Sequence, residues 1–424
     1  MADEWKEYVN DPRMVCKYAS KCYQKNPDHH KKFKHPPQNT RKDVNRNKRR
    51  FSPFTKNSPR HADAPSTNKD ESSSANGDEK AGNDKSATEA EARNPDIIAP
   101  DNAISVELPE NITFYDRDTD KSIIKELFLV DMPEDFFQFY DCISGIGKSV
   151  EDTLATVNLM AIGPYEFLLG KLPKLDNKEL YLAHWRFFYD PPEFQAVLKK
   201  NKSSEYHIGY FRDDPEEKPV FVACNDSSKD YHITPMAENI FGAVYVYLQN
   251  EKKRSPFTAM SCQKLMDKIK AFAEEKNITL EEFNMKKRSA QMVTRGLHGA
   301  GIVVPYNKKT QIGYRHLVET DANLKKLFAS LEKATDQNDK QKILSDLQPV
   351  ITYASIAVDE FDFGTGLEIG IALLCSGLKE LQSNALSSLI VAYTVLKRTA
   401  FIDIIKAHMK YRRKGPNMSL LNLK

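Results

Sequence analysis

The 424-residue chain lacks any long hydrophobic run. No stretch reaches the roughly 18 consecutive apolar residues that a membrane helix requires. The amino end, MADEWKEYVNDPR, lacks the apolar core of a secretory signal. We therefore expect an intracellular protein without a membrane partner.

Cysteine is also scarce, with six residues in the whole chain. Cys16 and Cys22 are close neighbours, whereas the other four are scattered and lie mostly among apolar residues: Cys142, Cys224, Cys262 and Cys375. This usage argues against a disulfide framework. It predicts that the four scattered cysteines are buried free thiols in a reduced protein.

Large apolar side chains are absent between Phe54 and Ile97, where there is no Val, Ile, Leu, Met, Phe, Tyr or Trp. Such a tract cannot bury enough apolar surface to offset the entropy lost on ordering. We therefore predict a disordered linker over residues 37–105. Its basic segment RKDVNRNKRR, residues 41–50, fits a nuclear-import signal, a nucleic-acid contact or a merely solvated linker.

Charge is unevenly distributed along the chain. Residues 1–60 hold 16 Lys and Arg against 6 Asp and Glu, and the rest hold 46 against 53. A basic front part on a mildly acidic body indicates that the front part binds a polyanion and the body binds proteins.

The remaining sequence predicts an α+β fold in two lobes. Over residues 106–255, helical spacing in PEDFFQFYDCISGI and PMAENIFGAVYVYLQN accompanies three strand-like segments, YHIGYFRDD, KPVFVACND and DYHITP. Over residues 256–424 helical patterns dominate, as in FTAMSCQKLMDKIKAFAEEKN and QKILSDLQPVITYASIAV. We therefore expect a mixed α+β lobe followed by a mainly helical lobe.

Four possible metal ligands stand close together at the front of the chain. The spacing is Cys16-x5-Cys22-x6-His29-x5-His35. Two thiolates and two imidazoles form a tetrahedral zinc set, and four protein ligands predict a structural site. The DNA-reading finger places about twelve residues between its Cys and His pairs, so six exclude that class.

The second pattern of interest is an acidic pair at the end of a predicted helix. Its apolar face comprises Leu344, Leu347, Ile351, Ala354 and Val358, Asp359 and Glu360 follow at once, and Gly364 is the predicted helix stop. Carboxylates at a helix carboxyl end are unfavourable by a few tenths to about 1 kcal/mol. The placement indicates either a functional demand or an ordinary solvated helix end.

The front segment, residues 13–36, resembles the poly(ADP-ribose)-binding (PBZ) zinc finger family. The resemblance rests on Tyr18, on Tyr23 and on KNPDH leading to His29. It implies a structural zinc at Cys16, Cys22, His29 and His35. It also implies that Tyr18 and Tyr23 flank an adenine while the phosphates are contacted by Arg13, Lys17 and Lys25.

Residues 106–424 resemble the histone PARylation factor family. The resemblance rests on RGLHGAGIVVPYNKKTQIGYRHLVETDANL and ASIAVDEFDFGTGLEIGIALL. It implies an accessory factor that binds the catalytic domain of a poly(ADP-ribose) polymerase and directs it to serine. The functional residues implied are Tyr314, Arg315, Asp359 and Glu360.

The resemblance also implies a mechanism. The partner transferase, not this chain, would bind NAD, and Glu360 would act as general base on the serine of a histone or other chromatin protein. Arg315 would orient Glu360 or anchor an acidic partner group, and Asp359 would pair with a basic partner residue. We expect a monomer that is inactive alone and acts in the nucleus, on chromatin and at sites of DNA damage.

Three alternatives remain open at this point. The chain could be a poly(ADP-ribose)-reading adaptor without a catalytic role. It could be a stand-alone enzyme that uses Asp359 and Glu360 as an acid/base pair. It could also be a DNA-binding protein that contacts phosphates through residues 41–50.

Overall fold

The computed structural model describes residues 11–15, 27–34, 111–201 and 203–422. The chain divides into two compact units, residues 1–88 and 89–424. The linker predicted over residues 37–105 lies outside the described residues.

The front unit contains a short parallel pair of strands, with one short helix between them in the sequence. Strand β1 (Met14–Val15) pairs with β2 (Phe33–Lys34), and helix α1 (Pro27–Lys32) leads directly into β2. The register places Met14 opposite Phe33 and Val15 opposite Lys34.

The body contains a five-stranded antiparallel sheet in which neighbouring strands follow each other along the chain. Its strands are β3 (Leu159–Ala161), β4 (Phe194–Lys200), β5 (Tyr206–Phe211), β6 (Phe221–Asp226) and β7 (Thr234–Ala237). The predicted strand pair in YHIGYFRDD and KPVFVACND is confirmed as β5 and β6. The third predicted strand, DYHITP, is displaced, since β7 starts only at Thr234.

Helices make up most of the remaining body. Before β7 they are α2 (Ile123–Phe128), α3 (Glu134–Ser144), α4 (Val150–Ala155), α5 (Pro164–Leu168) and α6 (Glu179–Ala183). After β7 they are α7 (Ile240–Arg254), α8 (Ala259–Lys276), α9 (Met285–Gln291), α10 (Asp321–Lys333), α11 (Gln337–Asp359), α12 (Phe363–Ser376), α13 (Gln382–Val395) and α14 (Thr399–Tyr411). Asn239, Thr320 and Asp336 accept backbone N–H groups at the starts of α7, α10 and α11, as good N-caps do. The α+β class and the helical carboxyl-terminal region are both confirmed.

The largest buried cluster runs through both predicted lobes. It includes Phe136 of α3, Phe241 of α7, Leu347 of α11 and Leu389 of α13. Because one core is shared, the boundary between residues 255 and 256 stays a prediction.

The segment after α14 packs back onto the α+β lobe. The amide of Trp185 donates to the carbonyl of Met418 at 3.0 Å, and the amide of Leu420 donates to Nδ1 of His184 at 3.1 Å. The Glu166 carboxylate contacts both side chains. Its Oε2 lies 2.5 Å from His184 Nε2, and its Oε1 accepts a hydrogen bond from Trp185 Nε1 at 2.6 Å. Residues 418–420 therefore complete the first lobe.

The four scattered cysteines are free, as predicted. Cys262 and Cys375 are buried, whereas Cys142 and Cys224 are only partly buried. Burial raises the pKa of all four thiols, most strongly that of Cys375. In the part of the chain that the structure describes, no helix combines the length and apolarity needed to cross a membrane.

Candidate functional site

Helix α11 ends at the acidic pair in a Schellman motif. The amide of Asp362 donates to the carbonyl of Ala357 at 2.8 Å, and the amide of Phe361 donates to that of Val358 at 3.0 Å. Phe361 occupies the left-handed position with φ of 70°. The predicted stop at Gly364 is therefore wrong, since Gly364 lies inside α12, but the two acids do stand at the carboxyl end of α11.

Phe361 is an unusual residue for that position, which glycine normally takes. A left-handed conformation costs an ordinary L-residue roughly 1–2 kcal/mol. The side chain is 63% exposed, so little burial offsets this cost. Strained and exposed residues are found disproportionately at functional sites.

Asp362 connects the end of α11 to the turn that carries Tyr314 and Arg315. Its Oδ1 accepts the amide of Gly313 at 3.0 Å, and the amide of Gly364 donates to the carbonyl of Gly313 at 2.9 Å. Gly313 has φ of 114°, and a Cβ there would stand 2.1 Å from the carbonyl oxygen of Pro305. Only glycine fits this close approach, so the turn is fixed against α12 through backbone atoms.

Arg315 is held from several directions and contacts Glu360. Its Nη2 donates to Oε2 of Glu360, and its Nε lies 3.1 Å from Oδ2 of Asp362 in a charge contact that lacks hydrogen-bond alignment. Its amide donates to Oγ1 of Thr365 at 3.0 Å, and that hydroxyl donates to the Arg315 carbonyl at 2.6 Å. The guanidinium lies 5.3 Å from the ring centre of Tyr353.

The Glu360 side chain is 59% exposed while it is paired with Arg315. The carboxylate is thus open to a second molecule, whereas the arginine that contacts it is anchored by the body. This arrangement can present a base of fixed orientation to a group supplied from outside.

Tyr314 lies beneath the surface rather than on it. Its hydroxyl donates to Oε2 of Glu368 at 3.1 Å and lies 3.1 Å from Nδ1 of His316. Burial raises the pKa of both Tyr314 and Glu368. Thr294 donates to the other oxygen of Glu368 at 2.8 Å. Tyr314 therefore secures the turn from inside the body.

Asp359 has different surroundings from Glu360. It lines a groove of about 370 Å³ between α11, α12 and α13, together with Ile351, Ser355, Asn384, Ser388 and Val391. Within the described ranges its exposed carboxylate makes no ion pair. It is therefore available to a cationic group of another molecule.

The sequence reasoning missed Asp362, Thr365 and Glu368. All residues from Gly364 to Cys375 are buried in α12. One signal was present, because Glu368 is the only charged residue in the otherwise apolar or neutral run from 363 to 376. A buried acid in such a run requires hydrogen-bonding partners.

Of the predicted finger ligands, only His29 belongs to the described residues. It is partly buried in α1, and its ring centre lies 5.0 Å from that of Phe33. Cys16, Cys22 and His35 lie outside the described residues, as do Lys17, Tyr18, Tyr23 and Lys25. The zinc site predicted from these four ligands therefore stays a prediction.

Arg13 is engaged within the front unit. It forms an ion pair with Asp11 at 2.5 Å and donates from Nη1 to the carbonyl of His30 at 2.5 Å. The hydrogen bonds from Arg13 lower the pKa of Asp11 to about 2. A phosphate at Arg13 would therefore compete with Asp11. Elsewhere in the described ranges, no three His, Cys, Asp or Glu side chains are grouped as metal ligands.

Two family models match parts of the chain. A family model described as PBZ domain matches residues 13–38, and one described as Histone PARylation factor 1 matches residues 119–412. The second match covers well over half of the chain, and it includes the Arg315–Glu360 pair. The chain belongs to the histone PARylation factor family.

Three relatives show how far the similarity extends. Histone PARylation factor 1 of Danio rerio is 39% identical over 295 residues, which is 68% of this chain and 84% of the fish protein. The protein of the same name from Bos taurus is 37% identical over 298 residues, 68% of this chain and 86% of its own length. That of Mus musculus is 36% identical over 311 residues, 70% of this chain and 89% of its own length.

Proposed function

We propose that this protein binds the catalytic domain of a poly(ADP-ribose) polymerase and completes its active site with Glu360. The observation that carries the proposal is the exposed Glu360 carboxylate held by the anchored Arg315. The family assignment supports the histone as an acceptor.

Modification of serine requires a base, whereas modification of acidic acceptors does not. Asp and Glu acceptors have pKa values near 4 and are already ionised at neutral pH. A serine hydroxyl is neutral and attacks poorly until its proton is removed. Glu360 accepts that proton while the hydroxyl oxygen bonds to the anomeric carbon of the ADP-ribosyl group and nicotinamide leaves from NAD held by the partner. General-base help of this kind contributes about 10²–10⁴-fold.

Arg315 and Asp359 then have separate roles. The contact geometry favours Arg315 as the residue that orients Glu360, since its guanidinium is already occupied by Glu360 and Asp362. Asp359 and its groove face the transferase, where a basic partner residue pairs with the carboxylate. Tyr314 supports the turn from below.

The front unit adds recognition of the reaction product. Its match to the PBZ domain supports a structural zinc at Cys16, Cys22, His29 and His35 and binding of poly(ADP-ribose). A polymer-binding module on the same chain raises the local concentration of the body where polymer already exists. We therefore propose that the protein acts in the nucleus, on chromatin and at sites of DNA damage.

The test is reconstitution of transferase, NAD and a histone peptide with Glu360→Gln. We expect serine ADP-ribosylation to fall by about 10²–10⁴-fold, while modification of acidic acceptors and affinity for the transferase persist. The exposed acid Glu332, on α10, provides the matched control Glu332→Gln, which should leave serine modification unchanged.

Two results would contradict the proposal. If Glu360→Gln retains full serine modification, the adaptor function is favoured instead. If the chain alone turns over NAD or ADP-ribosylated peptide, it is a stand-alone enzyme.

A further inference from the structure

A groove of about 700 Å³ is lined in part by the strained residue Phe361, which directly follows Glu360 in the sequence. We name it the aromatic–lysine groove, and its main lining residues are Tyr306, Lys308, Lys309, Ile312, Phe361 and Phe363. Nothing in the mechanism above uses this groove.

The two lysines stand on a turn of defined shape. Oδ1 of Asn307 accepts the amides of Lys309 at 2.9 Å and Thr310 at 3.2 Å, and the amide of Asn307 donates to the carbonyl of Ile312 at 2.9 Å. Both lysine side chains are exposed, and neither forms an ion pair with any described residue. The groove therefore carries two positive charges that the body does not neutralise.

Two large apolar residues of the groove are exposed, although apolar surface in contact with water is unfavourable. Phe361 is 63% exposed and Ile312 is 51% exposed. Phe361 has a left-handed backbone, and its ring centre lies 6.1 Å from that of Phe363 with an interplanar angle of 62°. The groove therefore combines an exposed aromatic side chain with two lysines.

We propose that the aromatic–lysine groove binds an ADP-ribose unit, with the adenine stacked on Phe361 and the pyrophosphate between Lys308 and Lys309. Charge complementarity selects this occupant, because two unpaired lysines attract a pyrophosphate and repel the basic segments of histones. An acidic peptide would satisfy the lysines but would leave the aromatic face unused. Base–aromatic stacking contributes about 1–3 kcal/mol per base.

This inference rests on the proposed function, since it gives the ADP-ribosylated product a second contact beside the general base. A unit already attached to the acceptor would be held within a few residues of Glu360. The groove lies in the body, so this contact is distinct from the polymer site expected in the front unit.

The test uses the full chain and an ADP-ribose probe with a photoreactive azido group on the adenine, followed by mapping of the labelled peptides. We expect label in peptides containing residues 305–313 or 361–363. Lys308→Glu/Lys309→Glu should reduce that label strongly, whereas the charge-matched control Lys325→Glu/Lys326→Glu, at exposed positions on α10, should not. Label on the front unit would be distinguished because it falls in different peptides.

Phe361→Gly is the second variant, and it separates binding from folding. Removal of the stack should reduce labelling by about 5–150-fold, the equivalent of about 1–3 kcal/mol. The same change removes left-handed strain, so the thermal midpoint should stay equal or rise. Lost labelling in this variant therefore does not come from unfolding.

Several outcomes overturn the inference. It fails if the body is unlabelled, or if label persists in Lys308→Glu/Lys309→Glu while affinity for the transferase drops, which would indicate an acidic partner segment. If labelling is absent but Glu360→Gln still abolishes serine modification, this inference fails and the proposed function stands. If the groove is labelled and Glu360→Gln retains serine modification, the groove stands and the proposed function fails.

Discussion

Replacing Asp362 tests whether the frame around Glu360, rather than Glu360 alone, determines activity. The residue is 9% exposed, accepts the amide of Gly313 at 3.0 Å, and lies 3.1 Å from Nε of Arg315. Asp362→Ala removes both contacts. Asp362→Asn keeps an acceptor oxygen for the amide and removes only the charge.

The two variants should differ in stability. Asp362→Ala leaves the buried amide of Gly313 without an acceptor, which costs about 1–3 kcal/mol. Asp362→Asn loses a charge contact to Arg315, whose side chain is 30% exposed, and such partly exposed pairs contribute about 0–1 kcal/mol. We therefore expect the free energy of unfolding to fall clearly for Asp362→Ala and slightly for Asp362→Asn.

Serine modification should decrease in both variants, because Arg315 loses one of the two carboxylates that position it. A displacement of a catalytic group by about 1 Å can cost about 100-fold in rate. The assays are urea unfolding and reconstituted serine ADP-ribosylation at concentrations of native protein matched between variants. Asp346→Asn, at an exposed position on α11, is the control for loss of one negative charge.

The reasoning is refuted if Asp362→Asn is as unstable as Asp362→Ala, since the amide contact would then not be the main one. It is also refuted if both variants modify serine at the rate of the unchanged protein. In that case Arg315 does not need Asp362 to orient Glu360.

Two further predictions concern acid stability and the metal. His298 is buried without a partner for either ring nitrogen in the described residues, and burial, followed by the charges of Arg288 and His232, lowers its pKa to about 3. As pH falls, the unfolded imidazole binds a proton before the buried one does, so this residue alone should lower the free energy of unfolding by about 2 kcal/mol between pH 7 and pH 5. Urea unfolding of His298→Leu should lack this pH-dependent contribution. If the pH dependence is the same in His298→Leu, the prediction is wrong. A zinc chelator should abolish retention of the full chain on immobilised poly(ADP-ribose) while serine modification persists, and retention that survives chelation would contradict zinc-dependent binding.

Long helices and the central strands could be predicted from the sequence because their patterns are local. The apolar spacing in residues 257–277 and 341–358 predicted α8 and α11. Strand β4 was missed because it is buried on both faces for most of its length and shows no alternation, and β3 has only three residues.

The site was predictable only in part. Glu360 and Arg315 follow from the family resemblance, but their contact joins residues 45 positions apart, and no local pattern shows it. The predicted stop at Gly364 failed because Phe361 adopts the conformation that glycine usually takes, against its own propensity. Tertiary contacts of α12 offset that local preference, and no local pattern reveals them.

The anchoring of residues 418–420 beside His184 and Trp185 has a consequence for biosynthesis. Strands β3 to β7 leave the ribosome long before Met418 and Leu420 do, yet Met418 packs against Trp185 and Ala196, and Leu420 donates to His184. The body can reach its native state only after translation has passed this point. On the proposed function, Glu360 can therefore act as a base only in a chain whose carboxyl-terminal segment has already been synthesised.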